Sequence, residues 1–142
     1  MKLRRIGQLV TTSGGGSVDQ LVGGLSDPYI FTGFLYGISY VKDLVNPYTD
    51  GVDFNINVTD NTFRVWVETN VNASKVVYPR GDAHDQAGDP VYVNSSAEAE
   101  QRLHPLINDT ITITITSGGA SKVGSFYIFV LDHFDFAGGT LT

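Results

Sequence analysis

Residues Thr110 to Thr116 read Thr-Ile-Thr-Ile-Thr-Ile-Thr, and this stretch decides the fold class. Side chains of a β-strand point alternately to its two faces, so Ile111, Ile113 and Ile115 share one face and the threonines share the other. Every residue is β-branched, which favours a pleated strand over a helix. The pattern predicts a strand whose isoleucines lie in a hydrophobic core. Its uncharged threonine face can contact either water or another protein surface.

The segment from Lys122 to Asp132 predicts a second strand, which is apolar on both faces. Residues 117–121, Ser-Gly-Gly-Ala-Ser, predict a hairpin loop between it and the Ile/Thr strand. A strand with two apolar faces is central in its sheet or covered by something else. We therefore expect these two strands to pair at the centre of the domain, with the threonine face near a subunit contact. The two apolar faces consist of Val123, Tyr127, Phe129 and Leu131 on one side and Phe126, Ile128 and Val130 on the other.

Two further strands are predicted by alternation from Val52 to Val58 and from Phe63 to Val67. Asp60 and Asn61 supply the turn between them, which indicates a hairpin with one wet face. Trp66 falls on the polar side of its strand. Because an apolar ring is rarely left in water, we expect a loop or a neighbouring subunit to cover it.

The length and turn spacing predict a single all-β domain. The chain has 142 residues and no cysteine, so packing and sheet hydrogen bonds must stabilise it. Turn signals separate about eight strands, which indicates an antiparallel β-sandwich or a jelly-roll-like fold. At most one short helix is expected, from Ala97 to Leu103, because Ser95 and Glu98 match a capping box. We divide the chain into an N-terminal arm and flexible segment (1–25) and the β-sandwich domain (26–142).

The charge of the chain excludes some classes of partner. A formal net charge of -6 argues against coating nucleic acid, and no apolar run is long enough to cross a membrane. Three of the nine basic residues, Lys2, Arg4 and Arg5, lie within the first five positions. They belong either to a solvated terminus or to an arm that docks on an acidic partner surface.

Candidate chemistry is sparse. The loop from Arg80 to Asp89 contains His84 beside Asp85, an arrangement that could serve as an acid/base pair. Its spacing matches neither an EF-hand nor a zinc-binding helix, and no serine lies in a nucleophile elbow. His104 is expected to cap the short helix. We predict no catalytic residue, no metal ligand and no cofactor, and interpret the loop as solvated.

Four short segments appear in an order that is similar to a known class of proteins. They are Thr32–Ile38, Asp53–Ile56, Val77–Arg80 with Asp85 and Gly88 downstream, and Asp109–Ile113. In this order the chain resembles the small structural proteins that tailed bacteriophages encode beside their major capsid protein. The resemblance implies a non-enzymatic virion protein, with capsid decoration (cement) as the expected role. It also implies the major capsid protein as partner, a homo-oligomer with a trimer favoured, synthesis in the host cytoplasm and a position on the capsid surface.

The residues that suit such a role form one set of interface candidates. They are Lys2, Arg4, Arg5, Trp66, Thr112, Thr114, Phe126, Phe134 and Phe136. An alternative function is a receptor- or glycan-binding β-sandwich module of a phage head or tail fibre, which predicts exposed aromatic side chains at Trp66, Tyr78 and Tyr92. A third hypothesis is an enzyme that uses His84 and Asp85.

Overall fold

A computed structural model describes residues 2–59, 63–82, 84, 86–90 and 101–132 of the chain. These residues form eleven β-strands and no helix, which confirms the all-β prediction. The strands are β1 (Lys2–Thr11), β2 (Val18–Leu21), β3 (Phe31–Lys42), β4 (Val52–Val58), β5 (Phe63–Val71), β6 (Lys75–Val77), β7 (Gly81–Asp82), β8 (Gln101–Arg102), β9 (His104–Asp109), β10 (Ile111–Thr116) and β11 (Val123–Asp132).

The strands form two main antiparallel sheets and one small pair. In the first sheet the order is β1-β11-β3-β6, and β9 also pairs with β3 beyond the end of β6. In the second sheet the order is β2-β10-β4-β5, while β7 pairs with β8. The inner faces of the two sheets share one core, in which the Phe54 ring meets Phe126 edge-on at a centroid distance of 5.1 Å. The predicted antiparallel sandwich is thereby confirmed.

Strands β10 and β11 lie in different sheets, so the predicted hairpin between them is wrong. Strand β10 pairs with β2 and β4, whereas β11 pairs with β1 and β3. Their connection crosses from one sheet to the other, a gap of about 10 Å between stacked sheets. Ser117, Gly119 and Ser121 turn it with positive φ angles of 59°, 81° and 54°. Both strands are nevertheless central in their sheets, and Ile111, Ile113 and Ile115 are fully buried as predicted.

The N-terminal residues are part of the sandwich, which corrects their assignment to a separate arm. Strand β1 pairs with β11 along its whole length, from Lys2 opposite Asp132 to Thr11 opposite Val123. Strand β2 pairs with β10 in the other sheet. The glycine-rich segment between them is a tight turn, in which the Gly16 amide donates to the Ser13 carbonyl at 3.0 Å. Both sheets therefore take an edge strand from the first 25 residues.

A β-bulge in β5 turns Trp66 toward the core. Ile56 of β4 pairs with Trp66, and the register shift that follows leaves Val65 with no opposite residue in β4. A bulge moves the alternation by one position, so Val65 and Trp66 are both buried. The β4–β5 hairpin is confirmed, but the prediction that a loop or a neighbouring subunit covers Trp66 is wrong.

The segment before β9 differs from the predicted helix. Gln101 and Arg102 form strand β8, and His104 begins strand β9 instead of capping a helix. Residues 95–100, with the capping box, lie outside the described residues. Phe134 and Phe136 also lie outside them.

Candidate functional site: the outer face of the first sheet

The outer face of the first sheet carries large apolar side chains that do not contribute to the core. Alternation along β11 buries Phe126, Ile128 and Val130 and turns the intervening residues outward. The register of the neighbouring strands extends this outward set across the sheet. We call it the apolar face, and it comprises Leu3, Arg5, Leu9, Phe34, Tyr36, Val41, Val76, Tyr78, Tyr127, Phe129 and Leu131. Leu9 and Tyr78 are the most exposed members, at 58% and 59%.

Two tyrosine rings on the apolar face lie over glycines of the neighbouring strand. A Cβ atom at Gly7 would come within 3.1 Å of the Tyr127 ring, and one at Gly37 within 3.2 Å of the Tyr78 ring. Only glycine leaves room for a ring pressed onto the backbone, an arrangement that packs otherwise bare sheet surface. The rings are consequently held close to the sheet.

Each of two arginines stacks on a tyrosine of this face. The Arg5 guanidinium lies 5.1 Å from the centroid of the Tyr127 ring, and the Arg80 guanidinium lies 5.5 Å from that of Tyr36. Arg80 Nη1 also donates hydrogen bonds to the Tyr36 and Pro79 carbonyl oxygens, at 2.9 and 2.7 Å. Cation–π contacts of this type fix the plane of the guanidinium. Both cationic groups are therefore ordered against the sheet.

The outer face of the second sheet has the opposite character. We call it the polar face, and it comprises Asp19, Asp53, Asn55, Asn57, Thr112 and Thr114, together with Leu21, Arg64 and Val67. The Thr114 hydroxyl donates to Asp19 Oδ1 at 2.7 Å, and the hydroxyls of Thr112 and Thr59 are 2.6 Å apart. In the described part of the chain, the apolar face carries no aspartate or glutamate side chain. The sandwich thus has one polar, partly acidic side and one apolar side with arginines.

The structure separates the predicted interface candidates. Arg5 lies on the apolar face, whereas Lys2 and Arg4 alternate to the other side of β1, where Arg4 is 3.6 Å from Asp132. Thr112 and Thr114 lie on the polar face. Trp66 and Phe126 are 6% and 0% exposed and belong to the core, so their assignment to an interface is corrected.

Sequence reasoning missed most of the apolar face. Tyr36, Leu3, Leu9 and Val76 were not singled out, although each is at least 38% exposed. The signal was present in the outward apolar side of β11. The outward residues of β1, β3 and β6 could be assigned to the same face only once the register of these strands in the sheet was known.

The histidine region holds a shallow cleft that includes His84, whereas Asp85 lies outside the described residues. Asp82, His84 and His104 line it together with Phe63 and Ile107. Burial lowers the pKa of His104, and the positive charge of Arg80 lowers it further. The described residues contain no group of three or more His, Asp or Glu side chains that could hold a metal ion. Nor do they include a helix long and apolar enough to cross a membrane.

Comparisons of the chain with known protein families, with curated proteins and with solved structures gave no match.

Proposed function

We propose that this protein decorates a bacteriophage capsid, binding the assembled head where capsid subunits meet. The proposal joins the resemblance of the sequence segments to one structural observation, the apolar face. Bound across a seam between subunits, the protein adds buried surface that exists only in the assembled shell. Such binding stabilises the shell because a ligand shifts an equilibrium toward the state that binds it more tightly.

The size of the apolar face is the observation that carries the proposal. Strands β1, β11, β3 and β6 have 10, 10, 12 and 3 residues, and with about 4.8 Å between strands and about 3.3 Å per residue they cover roughly 550 Å². A standard protein–protein interface buries about 800 Å² on each partner. The largest apolar patch of a soluble monomer covers about 300–600 Å² and often has a binding role. The face therefore approaches the dimensions of a complete interface.

The distribution of side chains supports the apolar face as the side that meets the shell. Sequence analysis placed a subunit contact at Thr112 and Thr114, but both hydroxyls have hydrogen-bond partners on the polar face. Leu9, Tyr78 and Val76, by contrast, expose apolar surface that water solvates poorly. We propose that the apolar face contacts the capsid and the polar face meets water. A homotrimer remains the favoured oligomer, on the resemblance alone.

The test is binding to heads of the encoding phage that were purified without this protein. The purified chain should co-sediment with these heads at a fixed, saturable ratio and raise the temperature at which they disassemble. The variants Leu9→Glu and Tyr78→Glu should lose binding while keeping the circular dichroism of the wild type. Wild-type protein that stays in the supernatant at all concentrations would remove the proposal.

A second candidate function, binding of glycans, is favoured by one cluster on the same face. The rings of Tyr36 and Tyr78 meet edge-on at a centroid distance of 5.8 Å, and Arg80 lies beside them. Aromatic rings with an adjacent hydrogen-bond donor provide a platform for a sugar ring. Trp66 is buried, and Tyr92 lies outside the described residues. A glycan array on which wild type and Tyr78→Ala both show no signal would eliminate this function.

A further inference from the structure

We infer that the partner surface of the apolar face presents carboxylates opposite Arg5 and Arg80, so that these two arginines orient the protein on an acidic, apolar protein surface. The inference rests on the proposed function, because it concerns the same face. It adds the chemistry of the partner and names the residues that recognise it.

The two guanidinium groups have no carboxylate partner within the described residues. Arg5 contacts the Tyr127 ring, and Arg80 contacts the Tyr36 ring and two backbone carbonyl oxygens. The chain as a whole has 15 acidic residues against nine basic ones. Acidic side chains are thus abundant but absent from the described part of this face. A guanidinium without a carboxylate partner in its own chain can take a carboxylate of another molecule in a bidentate pair.

The tyrosine rings lower the entropic cost of using these arginines. A free arginine side chain has about 2 kcal/mol of rotamer entropy, part of which is lost when it is fixed at an interface. Here the stacking on Tyr127 and Tyr36, and the two backbone hydrogen bonds of Arg80, already restrict the side chains. Since part of this ordering precedes binding, more of the carboxylate interaction appears as affinity.

The charge distribution then favours one orientation on an acidic partner. A chain with a net charge of -6 is repelled by an acidic surface in most of the orientations in which the two can meet. The polar face, with Asp19 and Asp53, adds to this repulsion. Among the described residues, the apolar face combines two arginines with a large apolar surface, whereas the polar face has Arg64 and Val67 among acidic, amide and hydroxyl side chains. Repulsion between like charges at the polar face gives specificity, and attraction at the apolar face gives affinity.

A nucleic acid is also anionic, but the face does not suit one. Binding to DNA or RNA depends on many lysines and arginines that neutralise successive phosphates. The apolar face has only Arg5, with Arg80 at its border, among leucines, valines and aromatic rings. Apolar side chains of this kind bury against another protein, so the acidic protein surface is the favoured partner.

Arg4 and Arg5 provide a matched pair of variants for the test. They are adjacent in β1 and point to opposite sides, and Arg4 is 3.6 Å from Asp132, with its side chain 52% exposed. Surface ion pairs of this kind contribute little to stability. Arg4→Gln and Arg5→Gln therefore change the net charge of the chain equally, but only the second removes a cation from the apolar face.

The experiment measures dissociation constants for heads that lack this protein, at about 50, 150 and 500 mM NaCl. Wild type should bind more weakly as salt increases, because salt screens exposed charges. Arg5→Gln should weaken binding about ten-fold and reduce the salt dependence, Arg5→Glu should weaken it further, and Arg4→Gln should bind like wild type. Arg80→Lys, which keeps the charge but loses the planar fork, tests the second arginine, with thermal unfolding as a check on folding.

The outcomes separate this inference from the proposed function. If wild type does not bind heads at all, the proposed function fails and the inference fails with it. If wild type binds but Arg5→Gln and Arg4→Gln bind alike, or salt has no effect, the inference alone is overturned. A shift of duplex DNA in a gel by wild type, lost in Arg5→Gln, would overturn the acidic protein in favour of nucleic acid.

Discussion

The Tyr48 hydroxyl donates a hydrogen bond of 2.7 Å to the carbonyl oxygen of Val10, 38 residues earlier in the chain. Both residues are buried, and the Tyr48 ring also covers Gly124 of β11, where a Cβ atom would lie only 2.4 Å away. The ring stacks on Tyr40 at a centroid distance of 5.9 Å. Burial raises the pKa of Tyr40 to about 12 and that of Tyr48 further, so both phenols remain neutral donors near neutral pH. The contact joins the segment after β3 to strand β1.

Removal of this hydroxyl should destabilise the sandwich without changing its fold. In Tyr48→Phe, the Val10 carbonyl loses its hydrogen-bond partner in a buried position, which costs about 1–3 kcal/mol. Urea denaturation monitored by circular dichroism measures the loss. Tyr78→Phe is the control, because its ring is 59% exposed and surface changes usually stay within about 0.5 kcal/mol. Equal stabilities of the two variants would contradict a structural role for the Tyr48 hydroxyl.

Gly33 and Gly24 should differ sharply in their tolerance of a side chain. Both have positive φ angles, of 134° and 99°, so alanine is strained at either position. A Cβ at Gly33 would lie 2.3 Å from the Leu131 carbonyl oxygen, whereas nothing lies within 4 Å of one at Gly24. We expect Gly24→Ala to cost roughly 1–2 kcal/mol from backbone strain alone. Gly33→Ala should cost distinctly more, roughly 3 kcal/mol or above, because the clash adds to similar strain.

The same denaturation experiment decides this comparison. A Gly33→Ala protein as stable as Gly24→Ala would mean that β3 and β11 separate easily at this point. Leu131 lies at the end of the apolar face, so Gly33→Ala should also weaken binding to heads.

His104 should make the stability of the protein fall on mild acidification. Burial, followed by the nearby Arg80 charge, lowers the pKa of His104 below its usual value of about 6.5. The unfolded chain therefore takes up the proton first as the pH falls, and the folded state loses stability from about pH 6.5 downward. For a single proton the loss cannot exceed about 1.4 kcal/mol per pH unit.

The variant His104→Gln tests this effect because it retains hydrogen-bonding groups but cannot titrate. Free energies of unfolding measured between pH 7.5 and pH 5.5 should fall more steeply for wild type than for His104→Gln. Parallel curves for the two proteins would show that His104 is protonated as easily in the folded chain as in the unfolded one.

The faces of individual strands could be predicted from the sequence, but not the neighbours of each strand. Alternation placed Ile111, Ile113 and Ile115 on one side, and burial of all three follows directly from hydrophobicity. The pattern contains no information on which strand lies beside β10. Short connections between strands favour hairpins, and the segment at Gly118 and Gly119 is long enough to cross between sheets instead. Pairing is a property of the whole domain.

Two errors about single residues have separate causes. Trp66 was assigned to the wrong face because the bulge at Val65 changes the alternation, and nothing in the residue types of β5 marks that bulge. Phe126 was named as an interface residue because both faces of β11 are apolar. On the outer side of the sheet, Gly7 and Gly37 lie beneath the Tyr127 and Tyr78 rings. Both glycines act through a neighbouring strand, so they are informative only after the sheet order is known.

Charged substitutions on the two outer faces should separate their roles. A lysine in place of Val76, which is 49% exposed on the apolar face, would bury an ammonium group in the proposed contact. Such a group costs several kcal/mol unless it is paired, so Val76→Lys should lower the affinity for heads by about 100-fold or more. Thr112→Lys and Thr114→Lys should bind like wild type, because the polar face meets water in the proposed orientation.

The measurement is co-sedimentation with heads, together with thermal unfolding of every variant. The Thr112→Lys and Thr114→Lys variants lose the hydroxyl contacts to Thr59 and Asp19, so a small decrease in stability is expected without a loss of binding. If these variants fold but do not bind, while Val76→Lys binds normally, the polar face is the one that contacts the capsid. In that case the threonine face of the Ile/Thr strand would be the capsid contact. A lysine on this face would then prevent binding, while the isoleucine core on the opposite face of the strand would stay intact.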